Sequence, residues 1–509
     1  MFQLFPHSVS PFADKLKTNY IPTLEEMKFL RDLLAPAIQR LAQIQAQIEE
    51  LNLVIGHLNA ERLSIETAID PHKALMSHMR RIPVEILREI FLACLPTEHP
   101  AVVDNNEAPL LLGRICRRWR AVAHSTPLLW ASIHIPPLQC DRIPKLRPVI
   151  EQWLERSAAL PLEINVFEDS PHESTHESHS ISMLHAVSQR LQHLVLQAPD
   201  LRVLLPILRL GSKSLPLLEG IHLYSGGRMP FTEDGDEMNL LRVPTLTDVA
   251  LIGVVVTPLS LHLQWAQLTN LELRSSQEGA LNGADALEML RRCPNLMRCY
   301  FELNDRDSSI SSNTSLITLP YLHTLILFGS FQLSRRIPHL AVPKLRLLKI
   351  GYGAQTSWFA KFPEISHDSD AAMIAALDTT CFTHAGLLDF LESFPRTSHL
   401  HLSSNGWIDT GMLPDDYFLL NLSLAYDSCP MLTHVRIAPA AFCDTNALAF
   451  IRARMVLTTP LRLFEAWFPR PMQEDIMHEL QPFISAGKLE VHLEYRRFDA
   501  KVGLLSRME

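Results

Sequence analysis

His172-Glu-Ser-Thr-His176 is the run with the spacing of a catalytic metal site. Histidines at i and i+4 share one helical face and can hold Zn²⁺, and the glutamate beside the first can serve as the base that activates a metal-bound water. That chemistry needs a buried helix and a third ligand. Here Pro171 precedes the run, and Asp169, Ser170, Ser174, Ser178 and His179 surround it. No apolar residue within it packs a helix, so the run reads as a polar loop. Chance capture of a metal by His172, His176 and His179 would not imply catalysis. Glu233-Asp-Gly-Asp-Glu237 lacks the length and ligand spacing of a calcium loop and reads as a solvated turn. No phosphate loop, nucleophile elbow or dinucleotide fingerprint occurs. The chain is therefore expected to carry no catalytic residues, no cofactor and no built metal site.

The bulk numbers narrow the class further. The chain has 509 residues, 47% hydrophobic and 20% charged, which fits a folded protein and is too long for one ordinary compact core unless it is a repeat array. Its net charge of −9 gives no general attraction for nucleic acid or an anionic membrane. Arg114, Arg117, Arg118 and Arg120 cluster, but they read as the polar face of a helix rather than a phosphate site. The eight cysteines, Cys94, Cys116, Cys140, Cys293, Cys299, Cys381, Cys429 and Cys443, are scattered with no Cys-x-x-Cys. Several sit among apolar residues, which points to a reducing, intracellular compartment, cytoplasmic or nuclear. No charged-then-apolar leader is seen, and Val249 to Val256, the strongest apolar run, is too short to span a bilayer.

The elements that organise the chain are three. The first is a heptad helix. Residues 1–33 hold Pro6, Pro11 and Pro22 and read as irregular. From Leu34 the apolar residues step by three and four through Ala37, Leu41, Ile44, Ile48, Leu51, Ile55, Leu58, Ile65 and Ile69, broken only by Arg62. This is a coiled-coil seam over 34–70, with Pro36 near its start and Asp70-Pro71 as its stop. Ile48, Ile55 and Ile69 at position a, with Leu51 and Leu58 at position d, favour a two-stranded parallel pair. Two readings stay open: pairing with a second copy, or folding back on the same chain.

The second is a degenerate repeat. Leu160, Leu162, Ile164 and Val166 alternate as a half-buried strand. A pattern apolar-x-x-apolar-x-apolar then recurs, starting at Leu191, Leu218, Leu246, Leu268, Leu296, Leu322, Leu345 and Leu432, with weaker copies at Thr397 and Lys488. Seven copies carry a proline two residues ahead: Pro216, Pro244, Pro294, Pro320, Pro343, Pro395 and Pro430. Adjacent good copies lie 22 to 28 residues apart. Segments 286–292 and 386–393 read as helices outside the strands. The pattern resembles leucine-rich repeats, without the asparagine of well-ordered ones. The resemblance implies a solenoid of short parallel strands. Between the last two apolar positions one residue must point away from the core. That column reads Val195, His222, Ala250, Glu272, Tyr300, Ile326, Lys349, His401, Arg436 and His492, an exposed face for a partner.

The third lies between them. In Met79-Arg-Arg-Ile-Pro-Val-Glu-Ile-Leu-Arg-Glu-Ile-Phe91, Pro83 suits a first helical turn and Leu95-Pro96 closes the helix. Ile82, Ile86, Leu87, Ile90 and Phe91 recur at helical spacing on one expected face. A second helix reads through Leu112, Ile115, Cys116, Trp119 and Val122, before Pro127-Leu-Leu-Trp130. This order resembles the F-box, with Ile82 where Leu is commoner and a Pro/Asp/Asn-rich insert at 97–109. The preceding heptad helix, His72-Lys-Ala-Leu-Met-Ser77, and the run Pro109 to Arg120 extend the likeness to the large F-box family of mushroom-forming fungi. The resemblance implies a non-catalytic substrate receptor. Its Skp-type adaptor, and through it a cullin–RING core, would dock on Ile82, Pro83, Ile86, Leu87, Ile90, Phe91 and Trp119. A target protein would dock on the repeat face at His222, Glu272, Tyr300, Ile326, Lys349, His401 and Arg436. The alternative is a non-ligase scaffold. The expected architecture is α/β: a heptad helix at 34–70, an all-α F-box at 79–130 and a leucine-rich-repeat-like solenoid at 145–500.

Overall fold

The computed structural model describes residues 10–136, 143–168, 179–199, 201–225, 238–254, 259, 261–274, 281–304, 316–330, 340–351, 372–379, 382, 384–404, 413–424 and 429–495. The chain divides into two compact units, Met1–Leu87 and Arg88–Glu509.

The first unit is dominated by helix α1, Leu24–Met76, of 53 residues. It opens ahead of the heptad boundary at Leu34 and runs past Asp70-Pro71, so both expected ends are corrected. Its start is set by a capping box. The Glu26 N–H donates to Thr23 Oγ1 at 3.3 Å, and the Thr23 N–H donates back to Glu26 Oε2 at 2.8 Å. The Thr23 N–H, then Lys15, hold the Glu26 carboxyl down to about 2. Pro36 and Pro71 each remove one N–H donor inside the helix, and the turns on either side continue regardless.

In the second unit, α2 (Val84–Ala93, begun just before the boundary) is followed by α3 (Leu112–Ile115) and α4 (Arg117–His124). The single helix expected through 112–122 is therefore two. Cys116 breaks it with extended backbone, φ −156° and ψ 169°, and its Sγ accepts the Trp119 N–H at 3.4 Å as the cap of α4. Trp130 is 1% exposed, donates its Nε1–H to the Ala123 carbonyl at 2.8 Å, and meets Trp153 edge-on at 5.0 Å. The helices thus lead without a break into the sheet, whose first strand starts two residues later.

Among the described residues sixteen strands follow: β1 (Ser132–Ile135), β2 (Leu162–Phe167), β3 (Leu191–Ala198), β4 (Gly220–Ser225), β5 (Asp248–Ile252), β6 (Asn270–Arg274), β7 (Arg298–Asn304), β8 (Ile317–Thr318), β9 (Thr324–Ser330), β10 (Leu340–Ala341), β11 (Leu347–Ile350), β12 (Met373–Asp378), β13 (Thr397–Ser403), β14 (His434–Ala438), β15 (Leu463–Phe468) and β16 (Glu490–Tyr495). Fourteen form one sheet whose order follows the sequence, and β8 pairs with β10 apart from it. Every pairing between the strands is parallel. The gap from 345 to 397 is filled by β12, and that from 432 to 488 by β15. Connecting segments include helices Gly283–Arg292, His384–Ser393, Asp416–Leu424 and Asp444–Met455.

The proline spacing has a local cause. Each of the seven prolines is the second residue of a β-turn whose fourth residue starts the apolar pattern. The Leu218 N–H donates to the Leu215 carbonyl at 3.4 Å, Leu246 to Val243 at 3.3 Å, Leu296 to Cys293 at 3.2 Å and Leu322 to Leu319 at 3.3 Å. Leu345 to Val342, Thr397 to Phe394 and Leu432 to Cys429 repeat the bond at 3.1–3.3 Å. Proline suits this position because its fixed φ matches the turn and no N–H is needed there. The residues on both sides of each turn are buried, Leu215, Val243, Cys293, Leu319, Val342, Phe394 and Cys429 among them. Burial pushes the Cys293 and Cys429 thiols up to about 12, as expected of thiols used as small hydrophobes.

Toward Tyr495 a buried carboxylate ties three segments together. Asp444 is 1% exposed and accepts from Arg470 Nη2 at 2.8 Å, the Gln473 N–H at 2.8 Å, the Glu474 N–H at 2.9 Å and the Tyr495 hydroxyl at 3.1 Å. Burial raises the acid's pKa, but the hydrogen bonds outweigh it and the net shift is downward.

Candidate docking surfaces

α2 is two-sided. Leu87 and Phe91 are 0% exposed, whereas Ile86 and Ile90 are 53% and 36% exposed. Residues i and i+4 share a face, so the helix shows one apolar pair to the core and another to water. The single adaptor-facing stripe expected from the sequence is thereby corrected. Leu87 and Phe91 are used up inside the chain; Ile86 and Ile90 remain available. Pro83 is exposed, and Ile82 is half-buried. Trp119 is half-buried against Phe91, with ring centroids 4.9 Å apart, so it buttresses the helix as much as it faces outward. Leu111, Ile115 and Leu128 in the following segment are 40%, 53% and 56% exposed, further apolar side chains that the core does not use.

The sheet supplies the second surface. Every apolar position of the good repeat copies, from Leu191 to Ile437, is buried. His134, Asn165, Val195, His222, Ala250, Glu272, Tyr300, Ile326, Lys349, Ala376, His401, Arg436, Glu465 and His492 are successive register partners across the sheet. The ten residues of the expected column thus occupy one continuous row, which His134, Asn165, Ala376 and Glu465 complete. Ala250 departs from the expectation: at 1% exposure it is covered. The others are half-buried or exposed.

Near the middle, rings and cations form a stack that the column alone does not contain. The Arg274 guanidinium lies 3.8 Å from the Tyr300 ring centre, Tyr300 stacks on Phe328 at 5.4 Å and 13°, and Lys349 Nζ sits 5.3 Å from Phe328. Glu272 pairs with Arg274. Gly351 makes room for this stack, since a Cβ there would overlap the Phe328 ring. Arg274 and Phe328 were missed because they lie two residues beyond the column on their strands. Period-2 alternation places them on the same face and could have found them.

The histidines on the two sides of this stack have different partners. On one side His222 Nε2 is 3.1 Å from Asp248 Oδ1, and Asn270 donates to Asp248 Oδ2 at 3.0 Å. The Asp248 hydrogen bond raises the His222 pKa. On the other side His399 and His434 stack at 4.0 Å, with Nδ1 atoms 2.9 Å from the Ser398 and Thr433 hydroxyls. Burial first, then neighbouring positive groups, lower the pKa of His399, His401 and His434. Arg436 is held by Glu465 at 2.9 Å.

The His222 shift fixes a pH dependence. A histidine with a raised folded pKa contributes stability that is fully present below its unfolded pKa of about 6.5 and is lost as pH rises through the folded value. The stability gap between the wild type and His222→Gln is therefore expected to be widest near pH 5.5 to 6 and to shrink by about pH 9. Urea unfolding at several pH values measures it; a gap independent of pH would refute the assignment.

The polar run His172–His176 and the acidic run 233–237 lie outside the described residues, as do Cys140 and Cys381. His179 opens helix His179–Ala186. Among the described residues, no group of three or more His, Cys, Asp or Glu side chains is placed to hold a metal ion. Among them too, no helix is long and apolar enough to cross a membrane. No protein-family model matches the chain, and no curated protein matches it.

Proposed function

We propose that the chain is the substrate-receptor subunit of a Skp–cullin–F-box type ubiquitin ligase, intracellular and without catalytic residues of its own. The observation that carries this reading is the two-sided helix α2. Ile86 and Ile90 stand exposed beside the Arg-Arg-Ile-Pro start, and the Cys116-x-x-Trp119 element props the helix from behind through Phe91. An exposed apolar pair on a short, well-anchored helix fits docking into an adaptor's groove. The repeat copies and their turns support a leucine-rich-repeat-like solenoid, whose exposed row would hold the target. Transfer would then follow from proximity, because a held target has a high effective concentration near the charged conjugating enzyme.

Affinity capture of the full chain with a Skp-type adaptor and a cullin tests the reading. Recovery of both is expected. Adaptor without cullin would leave a non-ligase scaffold, and recovery of neither would overturn the assignment. For the target face, Tyr300→Ala and Arg436→Ala are expected to reduce target recovery, as measured by proximity labelling under proteasome inhibition, while adaptor capture stays unchanged. Aromatic and arginine side chains dominate interface energies, and these two stand in the stack and in the exposed Arg436–Glu465 pair. Target profiles identical to wild type for both variants would remove the row from the proposal.

A further inference from the structure

The seam of α1 is open. Leu41, Ile48, Leu51, Ile55, Leu58 and Ile65 are between 45% and 68% exposed, although they recur at heptad positions a and d. Over 53 residues the helix extends about 80 Å, and a stripe of that length does not stay in water unpartnered. We infer that α1 pairs with a second copy of this chain as a parallel, in-register, two-stranded coiled coil.

Two features choose this occupant and its direction. Isoleucine at a and leucine at d, as at Ile48/Leu51 and Ile55/Leu58, select two parallel strands. Arg62, the one charged residue on the seam, selects the orientation. It stands at a, with Glu61 before it at g and Glu66 at e. Arg62 Nε already lies 3.8 Å from Glu66 Oε1 on its own helix. In a parallel pair the g residue preceding each a position lies beside the facing helix's a side chain. Each Arg62 would then stand between its own Glu66 and the Glu61 of the second copy. An antiparallel pair centred on the same seam would set Arg62 against Ala37 and Ile38, with no carboxylate to meet it. The inference does not depend on the adaptor reading.

Light scattering on the full chain at micromolar concentration is expected to give about twice 57.7 kDa. Ile48→Asp with Ile55→Asp is expected to return it to the monomer mass. Because that variant could also unwind α1, direction and register are tested by a milder change. Leu58→Cys should form an interchain disulfide with itself on mild oxidation, beyond any crosslinking of the wild type. Arg62→Glu, which surrounds the seam with acids only, should weaken association by about tenfold or more. A wild-type monomer, a trimer, or crosslinking of Leu58→Cys only when mixed with Leu41→Cys would each overturn the inference.

Discussion

Ile86→Asp combined with Ile90→Asp is expected to abolish adaptor capture while leaving thermal unfolding of the chain nearly unchanged. Both side chains are exposed, so charging them removes nothing from the core. On a docked surface each would bury a carboxylate without a partner, and two failed hot-spot residues cost more than about 100-fold in affinity. Leu87→Ala acts by a different route. Leu87 is fully buried, so its truncation costs ~2–5 kcal/mol of stability and weakens capture only by loosening the helix. Melting curves and adaptor titrations on both variants separate the two. If the double aspartate variant binds the adaptor as the wild type does, the F-box reading is wrong. If it melts as early as Leu87→Ala, the assignment of faces on α2 is wrong.

Asp444→Ala is expected to be the most destabilising single change in the sheet-bearing unit, by ~3–5 kcal/mol, because it strands the partly buried Arg470 and leaves two backbone N–H groups and a tyrosine hydroxyl without an acceptor. Tyr495 belongs to the last strand, so β16 should become the first site of proteolytic nicking. Acid should imitate the mutation. A carboxyl whose folded pKa is depressed contributes stability that is present above its unfolded value near 4 and is lost as pH falls through the folded value. Denaturant unfolding from about pH 7 to 3 should thus bring the wild type toward the variant. A variant that melts with the wild type would show the network to be dispensable.

Much of the fold is legible in the sequence because its rules are local. The x-Pro-x-Leu turn is written in four consecutive residues, and the strand after it alternates core and water without help from distant partners. That is why the row from Val195 to His492 follows from the sequence alone. β12 and β15 escape for a chemical reason. β12 has Ala375 where other copies have leucine and brings Met373 to the first core position through a register shift, and β15 uses Leu461, Phe464 and Ala466 with its proline one residue too close. The start of α1 was legible in Thr23-Leu-Glu-Glu26, a capping box overlooked beside the nearby prolines. The faces of α2 were not legible at all. Isoleucine, leucine and phenylalanine are equally apolar, and only packing decides which pair meets the chain's own core.

The in-order parallel sheet has a mechanical consequence. With strands ~4.8 Å apart, the register row from His134 to His492 measures about 60 Å along the sheet. Side chains more than about 10 Å apart with no shared partner contribute independently to binding and stability. His222 and Arg436 are eight strands apart, from β4 to β14. Substitutions at one of them should therefore leave the other undisturbed, and the row behaves as several separable sites laid end to end. One stretch of it can be rewritten while the remainder keeps its own side chains and pairings.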